Sequence, residues 1–177
     1  MKNYILTGTP GSGKTTLLEN LKTYNFNVIS EAATDVIAQE QAKGIAEPWT
    51  DPSFIDKIVL LQQERYLLSV LCHETVQFFD RSPLCTYALA LYLGYPPSSL
   101  LLEEIERIQQ THSYERNVFF IENLGFIAKT DARQISFEEA LKFEKIHRDT
   151  YHQFGFNCIP VPKASVQTRI NYMIEKL

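Results

Sequence analysis

The stretch Tyr4-Ile5-Leu6-Thr7-Gly8-Thr9-Pro10-Gly11-Ser12-Gly13-Lys14-Thr15 decides how this chain is read. Its last eight residues spell G-x-x-x-x-G-K-T, a glycine loop whose backbone N–H groups converge on a polyphosphate. Such an anion carries more charge than one side chain neutralises. Glycines therefore let the backbone curl closely around it without Cβ clashes, and the positive end of the following helix adds to the field. Tyr4-Ile5-Leu6 reads as a buried strand, while Leu17, Leu18, Leu21 and Tyr24 share one helical face. Strand, loop and helix start are the context the motif needs. Gly8, Pro10, Gly11, Ser12, Gly13, Lys14, Thr15 and Thr16 make up the expected nucleotide-binding set. Lys14 reaches for the β- and γ-phosphates, and the Thr15 hydroxyl is a ligand for Mg²⁺.

Composition narrows the function classes. At 177 residues with 45% hydrophobic residues, the chain suffices for one well-buried core, so residues 1–177 are read as a single domain. Lys+Arg 17 against Asp+Glu 21 leaves a net charge of -4, and no basic run tracks a phosphodiester backbone, which argues against nucleic acid as a partner. Cys72, Cys85 and Cys158 are widely spaced and outside any C-x-x-C pattern, so neither a disulfide framework nor a zinc site is expected. Pro10 and Gly11 interrupt the first apolar run before a signal-peptide core develops, and no stretch approaches membrane-spanning length. The expected compartment is the cytoplasm, with no membrane partner.

Strands and helices alternate along the rest. A second strand at residues 26–29 delivers Ser30 and Glu31, followed by a helix from about Ala32 to Lys43 that Gly44 stops. After a Pro-bounded loop, Asp51 or Ser53 caps a long helix whose apolar positions Ile55, Val59, Tyr66, Val70 and Leu71 recur at helical steps, reaching about His73. Residues 76–79 form the third strand, and residues 85–93 a helix apolar almost all round, with Tyr87, Leu91 and Tyr92 as a core stripe. Residues 98–110 read as an acidic, exposed helix, and residues 117–121 as the fourth strand. A loop spans 122–134, Ser136 and Glu139 form a capping box for a helix closed by Gly155, and a fifth strand at 157–161 precedes a last helix from Ser165. Such alternation favours a parallel sheet covered on both faces, with ligands at its carboxyl edge.

That edge collects the candidate chemistry. Asp80 ends an apolar strand, either as a carboxylate for Mg²⁺ or its waters or as a cap for the next helix. Glu31 either orients and deprotonates an acceptor hydroxyl or serves as a capping acid. Arg81 and Arg133 are candidates to track the charge of a transferred group, Arg133 from a lid loop, the alternative for each being a solvated arginine. Arg148 and Arg169 lie in helices and are expected in surface ion pairs, although Arg169 follows the last strand, where an adenine often sits. Trp49 is a stacking surface for a flat ring or a packing anchor. The four histidines lack paired ligand spacing, so none is assigned a role.

The order G-T-P-G-S-G-K-T, Ser30-Glu31-Ala32-Ala33, Phe78-Phe79-Asp80-Arg81-Ser82, Asp131-Ala132-Arg133, Ile159-Pro160-Val161-Pro162 and Arg169 resembles the small P-loop AAA-type ATPase/kinase family that includes the NadR ribosylnicotinamide kinase domain. The resemblance spans nearly the whole chain. Asp80-Arg81-Ser82 is also similar to deoxynucleoside and thymidylate kinases, where it lies near the acceptor. It implies a three-layer αβα P-loop NTPase fold with a five-stranded parallel sheet in order 2-3-1-4-5, binding of ATP or GTP with Mg²⁺, and γ-phosphoryl transfer to a small, nucleoside-like acceptor.

Three functions compete at this level. The leading one is a small-molecule kinase using Lys14, Glu31, Asp80, Arg81 and Arg133. The second is a nucleotide-dependent switch that binds a protein. Ala128-Lys129-Thr130-Asp131 approaches a guanine-reading N-K-x-D, although Ala stands for Asn and the third strand lacks D-x-x-G. The third is a nucleotide-binding interaction module without turnover.

Overall fold

A computed structural model describes residues 1–8, 11–72, 74–122 and 137–177 of the chain. Five parallel strands, β1 (Lys2–Thr7), β2 (Asn27–Ile29), β3 (Val76–Asp80), β4 (Asn117–Ile121) and β5 (Asn157–Val161), form one sheet in the order β2-β3-β1-β4-β5. The helices are α1 (Lys14–Thr23), α2 (Ala32–Ala42), α3 (Ser53–Val70), α4 (Pro83–Leu93), α5 (Ser99–Thr111), α6 (Phe137–Gln153) and α7 (Val166–Ile174), with a 3₁₀ turn at Pro48–Thr50. Both the alternation and the expected strand order are present.

The period of two along each strand builds the three layers. Tyr4, Leu6, Phe78, Phe119, Ile121 and Val161 point to one face and pack under Leu17, Leu18 and Leu21 of α1 and Ile170 and Met173 of α7. The intervening Ile5, Phe79 and Val118 point the other way, into a core with Ile55 and Val59 of α3, Leu84 and Cys85 of α4, Ile105 and Ile108 of α5 and Tyr151 of α6. Both faces are therefore covered, as a parallel sheet requires. Against α3 packs α2, through Ala32, Val36, Phe54 and Ile58. Each fully buried Leu or Phe in these layers contributes roughly 1.5–3 kcal/mol.

Several expectations need correction. Helix α5 is amphipathic rather than exposed: Leu101, Ile105 and Ile108 are buried, and so is Glu104, which accepts from both Arg107 and Gln63. At the end of α3, Val70 and Leu71 are 49% and 73% exposed instead of facing the core, as are Leu60, Leu67 and Leu68. Leu91 and Tyr24 are likewise exposed. The α3 start is held by Asp51, whose Oδ1 accepts the Ser53 N–H at 2.8 Å. The long helix ends at Val70, short of the expected end at about His73, and the expected Ser136 cap lies outside the described residues. Among the described residues no helix is long and apolar enough to cross a membrane.

Candidate active site

The phosphate loop starts where β1 meets β4. Gly8 has φ 138°, and a Cβ there would sit 2.5 Å from the Ile121 carbonyl oxygen, so the crossing excludes any side chain. The loop ends at Gly13, the N-cap of α1, in left-handed conformation with φ 83°. Gly13 has no side chain to cap α1, and a helix that begins on such a glycine is the usual setting in which backbone N–H groups face a bound anion. Thr15 and Thr16 sit exposed on the first turn, while Ser12 is buried with no partner for its Oγ among the described residues. Thr9 and Pro10 lie outside the described residues, as does Arg133 with the whole of 123–136.

Two cations and two carboxylates meet beside this loop. Lys14 is buried and donates from Nζ to the Gly8 carbonyl at 3.1 Å. Burial, reinforced by the positive charge of Arg81, lowers its ammonium pKa to about 8, against the attraction of Asp80 and Glu31. The parallel register sets Asp80 beside Leu6 of β1, and the Arg81 N–H donates to the Leu6 carbonyl. Burial raises the Asp80 carboxyl above the usual carboxylate range, Lys14 opposing and Glu31 adding to the shift. The cap of α4 is Ser82, so Asp80 is not that cap, and its Oδ1 is buried without a hydrogen-bond partner among the described residues.

Arg81 leaves the strand with φ 71°, which turns its side chain back toward α2. Only 11% of that side chain is exposed, so it is not the solvated arginine that was one expectation. Its Nε lies 2.5 Å from Glu31 Oε1. Glu31 is the N-cap residue of α2 but makes no capping bond; its other oxygen accepts from the Thr34 hydroxyl at 3.0 Å. Burial pushes the Glu31 carboxyl upward, yet Arg81 and then Lys14, helped by Thr34, hold it below its ordinary value. Glu31 is therefore a charged, partly dehydrated carboxylate.

Glu31 and Arg81 are also part of the wall of a cavity of about 250 Å³ between α2, α3 and α4. Trp49, Phe54 and Phe143 supply aromatic walls, and Gln62 and Thr86 a polar edge on which the Thr86 hydroxyl donates to Gln62 Oε1 at 2.9 Å. Trp49 packs on the α2–α3 core, the anchor role that was one expectation, and it also lines this cavity.

Arg169 is 3% exposed and donates from Nη2 to the Ser12 carbonyl at 3.1 Å, so it lies buried against the backbone of the phosphate loop rather than in the surface ion pair expected of it. Arg148 pairs with Glu144 at 3.2 Å, and its guanidinium also lies 3.9 Å over the Phe120 ring. Helix α6 brings in residues that had been given no role. His147, 1% exposed, lies 3.4 Å from Arg81 Nη1, and the Tyr151 hydroxyl lies 2.9 Å from Ser82 Oγ and 3.0 Å from Cys85 Sγ. Their signal was the i, i+4 spacing of Phe143, His147 and Tyr151, which aligns three rings on one helix face.

A divalent cation fits this arrangement. Among the described residues no cluster of three His, Cys, Asp or Glu side chains could hold a metal by itself. Mg²⁺, however, takes one or two protein oxygens and completes its shell with substrate phosphates and waters. The unpartnered Asp80 Oδ1 and the exposed Thr15 hydroxyl are donors of that kind.

No curated protein matches the chain. Among solved structures it is similar to a deoxyadenosine kinase from M. mycoides with products dCMP and a flexible dCDP bound, at 14% identity and a TM-score of 0.65, covering 98% of this chain and 97% of that one. A second structure of deoxyadenosine kinase from M. mycoides, with bound dATP, is 16% identical with a TM-score of 0.62, covering 99% and 98%. At such identities the likeness is one of fold, and it extends over both chains from end to end. The model of the AAA domain family, a P-loop NTPase family, matches residues 3–169, and the chain belongs to that family.

Proposed function

We propose that this protein is an Mg²⁺-dependent phosphotransferase that passes the γ-phosphoryl group of ATP to a hydroxyl of a small, uncharged, nucleoside-like acceptor. The observation that carries the reading is the double membership of Glu31 and Arg81. They line the cavity, and their charges act on Lys14 at the phosphate loop, so acceptor and donor sites adjoin through one ion pair.

Each residue then has a defined task. The amides of residues 11–15 and the Lys14 ammonium hold the polyphosphate. Thr15 and Asp80 are the proposed metal ligands, and the cation would neutralise the β- and γ-oxygens. Glu31, kept ionised by Arg81, accepts the proton of the attacking hydroxyl, and Arg81 fixes that carboxylate and faces the acceptor. Arg133 is assigned to the transferred group from the segment outside the described residues. Arg169 is assigned to the nucleotide site through its bond to the Ser12 carbonyl.

Charge supports an uncharged acceptor. Among the described residues the cavity lining holds one cation, Arg81, and one anion, Glu31, and the two are paired. A nucleoside monophosphate would bring about two negative charges with no second cation among the described lining residues to meet them, whereas a planar ring between Trp49, Phe54 and Phe143 suits the apolar walls. The kinase fold of the M. mycoides structures agrees with this class of chemistry.

The test incubates the protein with Mg·ATP or Mg·GTP and a panel of nucleosides, deoxyadenosine and nicotinamide riboside included, and measures ADP or GDP. The reading expects nucleoside-dependent product that Glu31→Gln removes. Nucleotide hydrolysis that no acceptor accelerates would overturn it in favour of a switch.

A further inference from the structure

We infer that His147 is a positioning residue for Arg81, its neutral imidazole accepting a guanidinium N–H at Nε2 and so fixing the Glu31–Arg81 pair on the cavity wall. For its kinetic consequence the inference rests on the phosphotransferase reading; for its geometry it stands alone. His147 Nδ1 lies 2.9 Å from the Phe143 carbonyl oxygen, which can only accept, so Nδ1 carries the hydrogen. Nε2 is left with its lone pair, and the group it faces, Arg81 Nη1 at 3.4 Å, can only donate. That separation is long for a direct bond, as in sites that tighten once substrate is bound.

A doubly protonated ring would set an N–H against the guanidinium. Burial first, then the charges of Arg81 and Lys14, lower the His147 pKa to about 3, in keeping with a neutral ring. The ring cannot turn away: it is 1% exposed and stands edge-on to Phe143, centroids 4.2 Å apart at 87°. Arg81 is thus held on two sides, by a carboxylate at Nε and by an imidazole at Nη1. The same helix supplies the Phe143 wall of the cavity and the Tyr151 hydroxyl on Ser82, next along the chain from Arg81. Seating of α6 therefore sets where Arg81 points.

The test compares wild type, His147→Phe, which keeps a packed ring without the acceptor, and His147→Gln, whose amide oxygen restores one. In ¹⁵N-labelled protein the wild-type ring is expected as the Nδ1–H tautomer. Arg81 guanidinium hydrogens should exchange at least about tenfold faster in His147→Phe than in wild type or His147→Gln. With Mg·ATP and a nucleoside that is turned over, His147→Phe should lower kcat/KM for the nucleoside about tenfold with the KM for ATP unchanged, and His147→Gln should restore it. An Nε2–H tautomer in the wild type, or equal Arg81 exchange in the three proteins, overturns the inference. A purely structural role would lower Tm in both variants and leave exchange alone. If no nucleoside is phosphorylated, the phosphotransferase reading falls while the tautomer and exchange still decide this one. Should His147→Phe fail to fold, the wild-type tautomer decides it, Nδ1–H supporting the inference and Nε2–H overturning it.

Discussion

Arg169, on the last helix, donates to the carbonyl oxygen of Ser12 in the phosphate loop at 3.1 Å, across 157 positions of sequence. Burial lowers its guanidinium pKa, Glu122 opposing, and its Nε has no partner among the described residues. Much of what the bond gives is thus offset by dehydration of the charge. Arg169→Met should weaken binding of Mg·ATP about tenfold, a hydrogen bond from a charged donor contributing on the order of 1.5–3 kcal/mol. Arg169→Lys, which can reach only as a point charge, should fall between. Calorimetric titration of the two variants checks the order.

Gly8→Ala should be strongly destabilising. The new Cβ would lie 2.5 Å from the Ile121 carbonyl, backbone that cannot yield without parting β1 from β4. The cost is about 1–3 kcal/mol for the overlap and a similar amount for the positive φ. Thermal unfolding should show a Tm lower by several degrees, and Mg·ATP affinity should fall with it.

Nucleotide binding should take up a proton at alkaline pH. The ammonium of Lys14 is the form that phosphates need, and in the free protein its pKa is lowered to about 8. Above pH 8 the free protein is mostly neutral at Lys14, so Kd should rise about tenfold per pH unit, and little below pH 7. Titrations at pH 8.5 in buffers of different ionisation enthalpy should report net proton uptake. The sign for stability is the reverse of a salt-bridged lysine: the folded pKa lies below the unfolded one, so this group adds stability as pH rises from about 8 to about 10.5.

Glu31→Gln should separate binding from chemistry. The amide stays on the cavity wall, yet it cannot take a proton from a hydroxyl. Turnover should fall by a factor of roughly 10²–10⁴, the usual worth of a positioned general base. Affinity for Mg·ATP should stay within a few-fold, which equilibrium binding and single-turnover assays together would show.

The sequence displayed the nucleotide half of the site more fully than the acceptor half. Glycine spacing is a local property, and the apolar run Tyr4-Ile5-Leu6 is too, so the loop, its flanking elements and the sheet could be read from the string. Asp80, Arg81 and Glu31 were found because strand ends of a parallel sheet share one edge. Gln62 and His147 were not, since each acts through a partner 24 or 66 positions away and looks like an ordinary helical residue alone. Helix α5 misled for a related reason. Its acidic count suggested solvent, while Glu104 is buried because Arg107 and Gln63 occupy its oxygens.

Everything functional above depends on a triphosphate seated on the loop from Gly8 to Thr15. Calorimetry of the wild type and of Lys14→Ala against Mg·ATP and Mg·GTP tests that most directly. The account predicts saturable binding of at least one nucleotide by the wild type, lost in Lys14→Ala, a variant that keeps its Tm. A folded wild type that binds neither nucleotide, or an Ala variant that binds equally well, would contradict it.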